Sequence, residues 1–168
     1  VPVVVVRRAF NTDRPLPAAF TRAMVPVGRS RGSRAAQEIA FNLSANLGTE
    51  IQLAHVVSSE PTSALTRLMP FRDTVAEDVS AEVGTRLLWQ AVDQARELGV
   101  EAHPNTLSSG GTTASELMGF VEDNDVDLVV MGAVLRRLDD RPSLGPTVER
   151  FLDDCPVTVA VVVVPVEI

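Results

Sequence analysis

The sequence predicts an α/β protein built on a doubly wound parallel sheet, and three observations support this. Apolar segments of strand length alternate with amphipathic segments of helix length along the 168 residues. Residues 126–131 are apolar almost throughout, which is typical of strands covered on both faces. Glycines follow two of the strands, at Gly28 and Gly132. Because ligands of such sheets bind beyond the carboxyl ends of the strands, we expect a ligand site there.

The first half of the chain predicts two strands joined by a helix. Residues 24–27 form a short apolar strand, and residues 51–57 form the next one. Between them, residues 33–47 predict a helix that ends at Gly48. Two prolines within residues 58–71 predict an irregular loop after the second strand.

The second half continues the alternation of strands and helices. The predicted elements are a long amphipathic helix over 73–98, a strand over 100–107, a helix over 112–124, a strand over 126–131, a polar loop to 144, a helix to 154 and a last strand over 157–164. Trp89 lies at core spacing within the long helix, and we expect it to be buried.

Composition and charge narrow the function classes. The chain has 15 basic residues, all arginine, and 22 acidic ones, so its net charge is −7. An acidic surface disfavours nucleic-acid binding, which requires a basic patch. Abundant carboxylates without lysine are typical of a salt-adapted surface, and a high-GC genome is the alternative explanation. No nucleic-acid partner is therefore expected.

The sequence offers no metal site, and its thiol lacks an activating neighbour. Cys155 is the only cysteine, and the two histidines, His55 and His103, lie far apart in sequence. The longest apolar runs are about half the length that spans a bilayer. No signal peptide is visible, so a cytoplasmic protein without a metal is expected.

Polar side chains near the predicted strand ends have structural and functional interpretations. His55 lies in an apolar strand, where a structural role is favoured over catalysis. Ser30 and Ser33 stand at the start of the first helix, either as plain N-caps or as part of an anion-binding turn. The N-cap is the favoured interpretation.

Four pieces of the sequence carry a resemblance to a known family. They are Met-Val-Pro-Val at 24–27, Leu-Ala-His-Val-Val at 53–57, Val-Asp-Leu-Val-Val-Met-Gly at 126–132, and Gly145 with Val-Glu-Arg-Phe-Leu at 148–152 before Cys-Pro and the valine strand. In this order the chain resembles the universal stress protein family over residues 23–165. The resemblance implies a Rossmann-like, five-stranded α/β/α sandwich that often dimerises through its last strand. Some members of the family bind ATP or AMP, and others bind no nucleotide.

The ATP-binding members share a loop of glycine, two residues, glycine, nine residues, then glycine followed by serine or threonine. Gly132 and Gly145 match the outer glycines at the family interval. Leu135 replaces the middle glycine and is expected to crowd a place where backbone approaches phosphate. Pro146 occupies the position where serine or threonine is usual, and Thr147 follows one position later. Pro146 removes an N–H donor, although proline is tolerated in the first turn of a helix.

The acidic residue that fixes adenosine in the family is replaced by Gly28. Arg136 and Arg137 either supply charge to a phosphate or form a solvated stretch beside aspartates. Carried over by position, the resemblance implies nucleotide contacts at Pro26, Gly28, Val57, Met131, Gly132, Leu135, Gly145, Thr147 and Val148. The residues themselves fix no cofactor, and ATP or AMP are the candidates that the resemblance implies.

The two ends of the chain resemble each other, which bears on domain organisation. Residues 1–7, Val-Pro followed by a valine run and arginine, repeat the pattern of the last strand. We interpret residues 1–9 as the last strand of a preceding similar domain, or as an edge or swapped strand. Residues 10–22 are then a linker, and residues 23–168 the universal stress protein domain. A homodimer, or a tandem pseudo-dimer, is expected to form through these valine-rich strands.

Two functional classes follow from the resemblance. The first is a non-catalytic regulatory domain, the cytoplasmic part of a larger membrane transporter such as a cation/proton antiporter, amino-acid permease or chloride channel. The second is a stress protein that binds ATP or AMP and slowly hydrolyses ATP. Phosphoryl transfer needs a phosphate cradle, a metal ligand and a positioned base or water. Because the loop is altered and no such residues are evident, we expect no enzyme.

Overall fold

The structure, a computed structural model, describes residues 3–8, 18–58, 81–138 and 141–165. Within these ranges lie the strands and helices, which are β1 (Val3–Arg7), β2 (Arg22–Pro26), α1 (Arg31–Leu47), β3 (Glu50–Ser58), α2 (Ala81–Glu97), β4 (Ala102–Ser109), α3 (Thr113–Asp123), β5 (Leu128–Val134), β6 (Arg136–Leu138), β7 (Arg141–Ser143), α4 (Pro146–Asp154) and β8 (Thr158–Val164).

The described strands form one large sheet and one hairpin. The sheet has the order β1-β8-β5-β2-β3-β4, and its last five strands are parallel. β1 is antiparallel to β8, with Val3 opposite Val163 and Arg7 opposite Val159. The predicted α/β class, a five-stranded parallel sheet with an extra N-terminal strand, is confirmed.

Two apolar layers cover the two faces of the sheet. One layer joins α1 and α2 to the sheet around Phe41, Leu53 and Leu88. The other joins α3 and α4 around Leu117, Val129 and Phe151. Successive β5 residues alternate between the layers, as expected for a strand buried on both faces.

Helix α1 shows how local sequence sets an element's bounds. Ser30, in an extended conformation, accepts a hydrogen bond from the Ser33 N–H at 3.0 Å and so caps the helix. Gly48 ends it with φ of 72°, a left-handed conformation that favours glycine. The favoured prediction, a plain N-cap, agrees with this geometry.

Two predictions about secondary elements need correction. Trp89 was expected in the core, but 53% of its surface is exposed. The buried face of α2 follows Leu88, Val92 and Ala95, and Trp89 lies about 100° around the helix from Leu88. The predicted polar loop before residue 144 contains the β6–β7 hairpin instead. The predicted loop after 58 and the helix start at 73 lie outside the described residues.

The N-terminal strand completes the edge of the sheet. β1 pairs with β8 along five residues of the same chain. Its valines, Val3 to Val6, are each between 44% and 62% exposed. In the described part of the chain, no helix is long and apolar enough to cross a membrane.

Candidate functional site

A cavity of about 180 Å³ opens at the carboxyl ends of the central strands. Its walls come from residues 26–30 at the end of β2 and in the turn after it, Ser33 of α1, residues 54–56 of β3, residues 131–132 of β5, Thr113 and Leu117 of α3, and the first turn of α4. This is the place where doubly wound sheets bind ligands, because the chain crosses over to opposite faces on leaving neighbouring strands.

The cavity brings together six of the nine predicted contact residues. Those that line it are Pro26, Gly28, Met131, Gly132, Thr147 and Val148. The other three, Val57, Leu135 and Gly145, lie outside its lining. Val57 lies one residue beyond the lining residue Val56 in β3. Leu135 is 42% exposed after the end of β5.

Gly132 lies in backbone contact with the start of α1. A Cβ atom built at Gly132 would stand 2.0 Å from the carbonyl carbon and oxygen of Gly32. Conversely, a Cβ at Gly32 would stand 2.7 Å from the Ala133 carbonyl oxygen. Real carbon contacts are about 3.5 Å or longer. Both glycines are therefore required for α1 to pack on β5, whatever the cavity binds.

A different constraint, the backbone conformation, requires glycine at position 145. Its φ of 92° and ψ of 151° lie in a region that is essentially restricted to glycine. A Cβ atom there would have no neighbour within 4 Å. The sharp turn from the β6–β7 hairpin into α4 therefore requires glycine for its backbone conformation, not for lack of space.

The loop before α4 already uses its N–H donors. The Leu144 N–H donates to Glu149 Oε1 at 3.1 Å, and the Ser143 hydroxyl donates to the same oxygen at 2.7 Å. The Gly145 N–H donates to Ser143 Oγ at 3.1 Å. Pro146 has no N–H to offer. The N–H groups that could bind an anion at this end of the cavity are therefore the next ones along α4, those of Thr147 and Val148.

Several features of the cavity favour an anion, although the chain as a whole is acidic. Arg29 lines it from the solvent side, and the first turns of α1, α3 and α4 all contribute to its walls. Each helix start presents N–H groups and the positive end of a dipole. No Asp or Glu lies among the described residues that line the cavity. The arrangement suits an anionic ligand.

Two polar side chains in the lining are held by the protein itself. The Ser33 hydroxyl accepts from the Gly28 N–H at 2.8 Å and donates to the Pro26 carbonyl at 3.3 Å, which fixes the turn after β2. His55 is 5% exposed, and its Nδ1 lies 2.8 Å from the Val27 carbonyl oxygen. A carbonyl only accepts, so this nitrogen carries the proton. The imidazole also packs against Gly84 of α2. These contacts fix the ring, while its buried Nε2 has no hydrogen-bond partner among the described residues.

Cys155 has no part in the cavity. It is 1% exposed, and burial raises the pKa of its thiol. A thiol with a raised pKa is less reactive because less thiolate forms. Among the described residues, no cluster of three or more metal-ligating side chains occurs.

Sequence reasoning missed several residues of the cavity. Arg29 lies two residues after a predicted strand, and Thr113 lies in the first turn of a predicted helix. Ligands of doubly wound sheets bind beyond the carboxyl ends of the strands, and both residues lie there. Applying this principle to the sequence would therefore have identified them. Leu117 lies one turn further along α3, and only the packing of that helix on the sheet brings it to the cavity.

The strand order, with a cavity at the carboxyl strand ends, defines a Rossmann-like α/β domain. The chain belongs to the universal stress protein family, whose model matches residues 19–163. It is 28% identical over 142 residues to universal stress protein MJ0531 of Methanocaldococcus jannaschii, covering 83% of this chain and 81% of the relative.

Solved structures share the fold at low sequence identity. A universal stress protein of Arabidopsis thaliana with AMP bound has a TM-score of 0.60 and 22% identity, covering 85% of this chain and 91% of that one. The universal stress protein of Archaeoglobus fulgidus in complex with dAMP has a TM-score of 0.63 and 14% identity, covering 85% and 98%. These likenesses establish the fold.

Proposed function

We propose that this chain is a non-catalytic regulatory domain that binds an adenosine monophosphate in the cavity between β2, β5 and α4. Two structural neighbours are described as complexes with AMP and with dAMP. Six residues that the family pattern implicates line the cavity of this chain. Ligand occupancy would then act as the signal, as expected for a sensor.

The observation that carries the proposal is the state of the loop before α4. Its Leu144 and Gly145 N–H groups are bonded to Glu149 and Ser143, and Pro146 has none. The first turn of α4 remains as the anion site, and it suits a single phosphate group. A triphosphate needs donors along the whole loop, so AMP is favoured over ATP.

The same features argue against ATP hydrolysis. Phosphoryl transfer requires a metal to neutralise the phosphates and a residue that orients the attacking water. The described residues that line the cavity include no carboxylate that could hold magnesium or orient water. The domain is accordingly proposed to respond to nucleotide without consuming it.

A second copy of the chain is the proposed partner, through the valine-rich strand β1. Val3 to Val6 are exposed on both faces of the sheet edge, and an uncovered apolar edge strand favours pairing. Sedimentation velocity tests this: Val5→Arg should give a monomer, whereas Leu47→Arg, at a position that is 57% exposed on α1, should leave the dimer intact. Equal behaviour of the two variants would refute the β1 interface.

Attachment to a membrane transporter and a cytoplasmic location stay predictions. The relatives described above carry the name of universal stress proteins. The proposal of a regulatory sensor does not depend on such an attachment.

Isothermal titration calorimetry with AMP tests the proposed site. A Cβ atom at Gly28 would meet nothing nearer than Ser33 Oγ at 3.9 Å, so the backbone admits a side chain there, and we expect Gly28→Leu to occupy part of the cavity that Gly28 lines. We expect it to weaken AMP binding by about tenfold or more, equivalent to about 1.4 kcal/mol. Gly119→Leu on α3, where a Cβ atom meets nothing within 4 Å, is the matched control.

Phosphate release from ATP is measured alongside binding. The proposal expects no release above the buffer rate in the wild-type chain. Two results would refute it: AMP binding that survives Gly28→Leu unchanged, or ATP turnover that this substitution abolishes.

A further inference from the structure

Arg7 forms the most extensive long-range polar contact of the N-terminal strand. Its Nη2 donates to the Cys155 carbonyl at 2.7 Å, to the Phe151 carbonyl at 3.1 Å and, more weakly, to the Val157 carbonyl at 3.4 Å. These acceptors lie 144 to 150 residues away in sequence. One side chain of β1 thus holds the end of α4 and its turn into β8.

The carboxyl end of α4 needs such a donor. The last carbonyls of a helix have no partners within the helix, and a cation stabilises the negative end of its dipole. Within the described helix, the last turn contains no basic residue, and Asp153 and Asp154 lie there instead. Arg7 therefore adds from β1 a positive charge and hydrogen bonds at this end of α4, where the Phe151 carbonyl also accepts from the Cys155 N–H.

Helix α4 is short enough to depend on its neighbours. It has nine residues, and isolated helices below about 12 residues are marginal in water. Its N-cap residue, Gly145, has no side chain to cap the first turn. Val148 and Phe151 pack in the same apolar layer as Met131, which is the main tie of α4 to the sheet.

The two ends of α4 face different parts of the molecule. The carboxyl end contacts Arg7, and the amino end contributes Thr147 and Val148 to the cavity. A nine-residue helix is about 14 Å long, so a change at one end displaces or loosens the other. β1 and the cavity are therefore connected through one short helix.

We propose that Arg7 is a positioning residue for the cavity: by docking β1 on β8 and holding the end of α4, it sets the cavity wall formed by Thr147 and Val148. The ligand, AMP, rests on the proposed function, whereas the link from Arg7 to α4 does not. Undocking of β1 lowers AMP affinity, and AMP binding in turn favours the docked strand.

The test compares Arg7→Gln with Arg34→Gln, a charge-matched control at an exposed position of α1. Hydrogen exchange reports on α4, and the methyl resonance of Met131 reports on the cavity without any ligand. We expect α4 amides to exchange about tenfold faster in Arg7→Gln, as local opening becomes easier. We also expect the Met131 methyl signal to shift, with both readouts unchanged in the control.

AMP titration completes the experiment. Arg7→Gln should bind AMP about three- to tenfold more weakly, since the competent position of α4 is less populated. Arg7→Lys, which keeps the charge, should recover part of the affinity. Unchanged α4 exchange and Met131 shift would overturn the proposal, as would faster α4 exchange with unaltered AMP affinity. If the wild-type chain binds no AMP while both ligand-free readouts respond, the positioning role stands and the proposed function fails.

Discussion

Gly132 and Gly145 occupy equivalent places in the family's loop pattern, yet the fold requires them for different reasons. At Gly132 the backbone of α1 is so close that a Cβ atom would stand 2.0 Å from Gly32. At Gly145 the space is open, but φ is 92°. The two glycines are thus retained for helix packing and for a turn, respectively.

This difference limits what the loop pattern says about ligands. If each outer glycine is needed for folding, its presence does not by itself indicate phosphate binding. The informative positions are those between and after them, Leu135 and Pro146, where the fold imposes no such demand. They are the positions at which the chain departs from the ATP-binding pattern.

Gly132→Ala should have the largest effect. We expect it to lower the free energy of unfolding by about 3 kcal/mol, because α1 or β5 must shift to admit the methyl group. Urea denaturation measures this, with Gly119→Ala as the control in open space on α3. A loss below that of ordinary surface substitutions, about 0.5 kcal/mol, would show that the close contact is relieved cheaply.

Gly145→Ala should destabilise less and more locally. The strained φ costs about 1–3 kcal/mol, and hydrogen exchange should show the loss confined to the start of α4. Gly48→Ala, another position with positive φ and open space, serves as the control away from the cavity. Global unfolding comparable to Gly132→Ala would contradict the distinction between the two glycines.

Restoring the loop pattern should change ligand choice rather than stability. In Leu135→Gly with Pro146→Ser, the regained N–H and hydroxyl give a triphosphate new donors. We expect ATP affinity to rise about tenfold, or about 1.4 kcal/mol, while AMP affinity changes less. Calorimetry on the double variant checks this, and equal gains for AMP and ATP would show that these positions do not select phosphate number.

The smallest effect is expected far from both glycines, where Arg22 pairs with Glu50 at 2.9 Å. The hydrogen bond from Arg22 lowers the pKa of the Glu50 carboxyl below its ordinary value of 4.5. A carboxyl with a lowered pKa in the folded state stabilises the protein above that ordinary value. This contribution disappears as pH falls through the folded-state pKa.

Thermal melts of Glu50→Gln therefore provide a reference for regions that do not contact the cavity. The variant should melt slightly below wild type at pH 7, and the two curves should converge as the pH falls through the lowered pKa of Glu50. A difference that persists in acid would mean that Glu50 acts through packing and not through its charge.

The sequence predicted the parallel sheet because strand and helix periodicity are local signals. It also placed the cap Gly48 and offered Ser30 or Ser33 as the N-cap, of which Ser30 has that role; these roles depend on neighbouring residues alone. It could not predict the exposure of Trp89, since which face of α2 meets the sheet depends on the whole fold. The same holds for the β6–β7 hairpin, whose three-residue strands carry too little periodicity to detect.

The candidate site was predictable only in part. Gly28 and Gly132 follow strands, and their place at the cavity follows from the sheet's topology. By contrast, the backbone contact of Gly132 with Gly32 joins residues 100 positions apart and depends on how α1 packs. Likewise, Arg7 reaches α4 only because β1 folds back along β8.

The central claim is that folding requires the outer glycines, Gly132 and Gly145, whereas the altered loop between and after them limits the cavity to a ligand with one phosphate group. Competition calorimetry of AMP against ATP on the unaltered chain tests it most directly. The account predicts that AMP binds about tenfold or more tightly than ATP, with a single shared site. ATP binding as tight as that of AMP, or tighter, would contradict it.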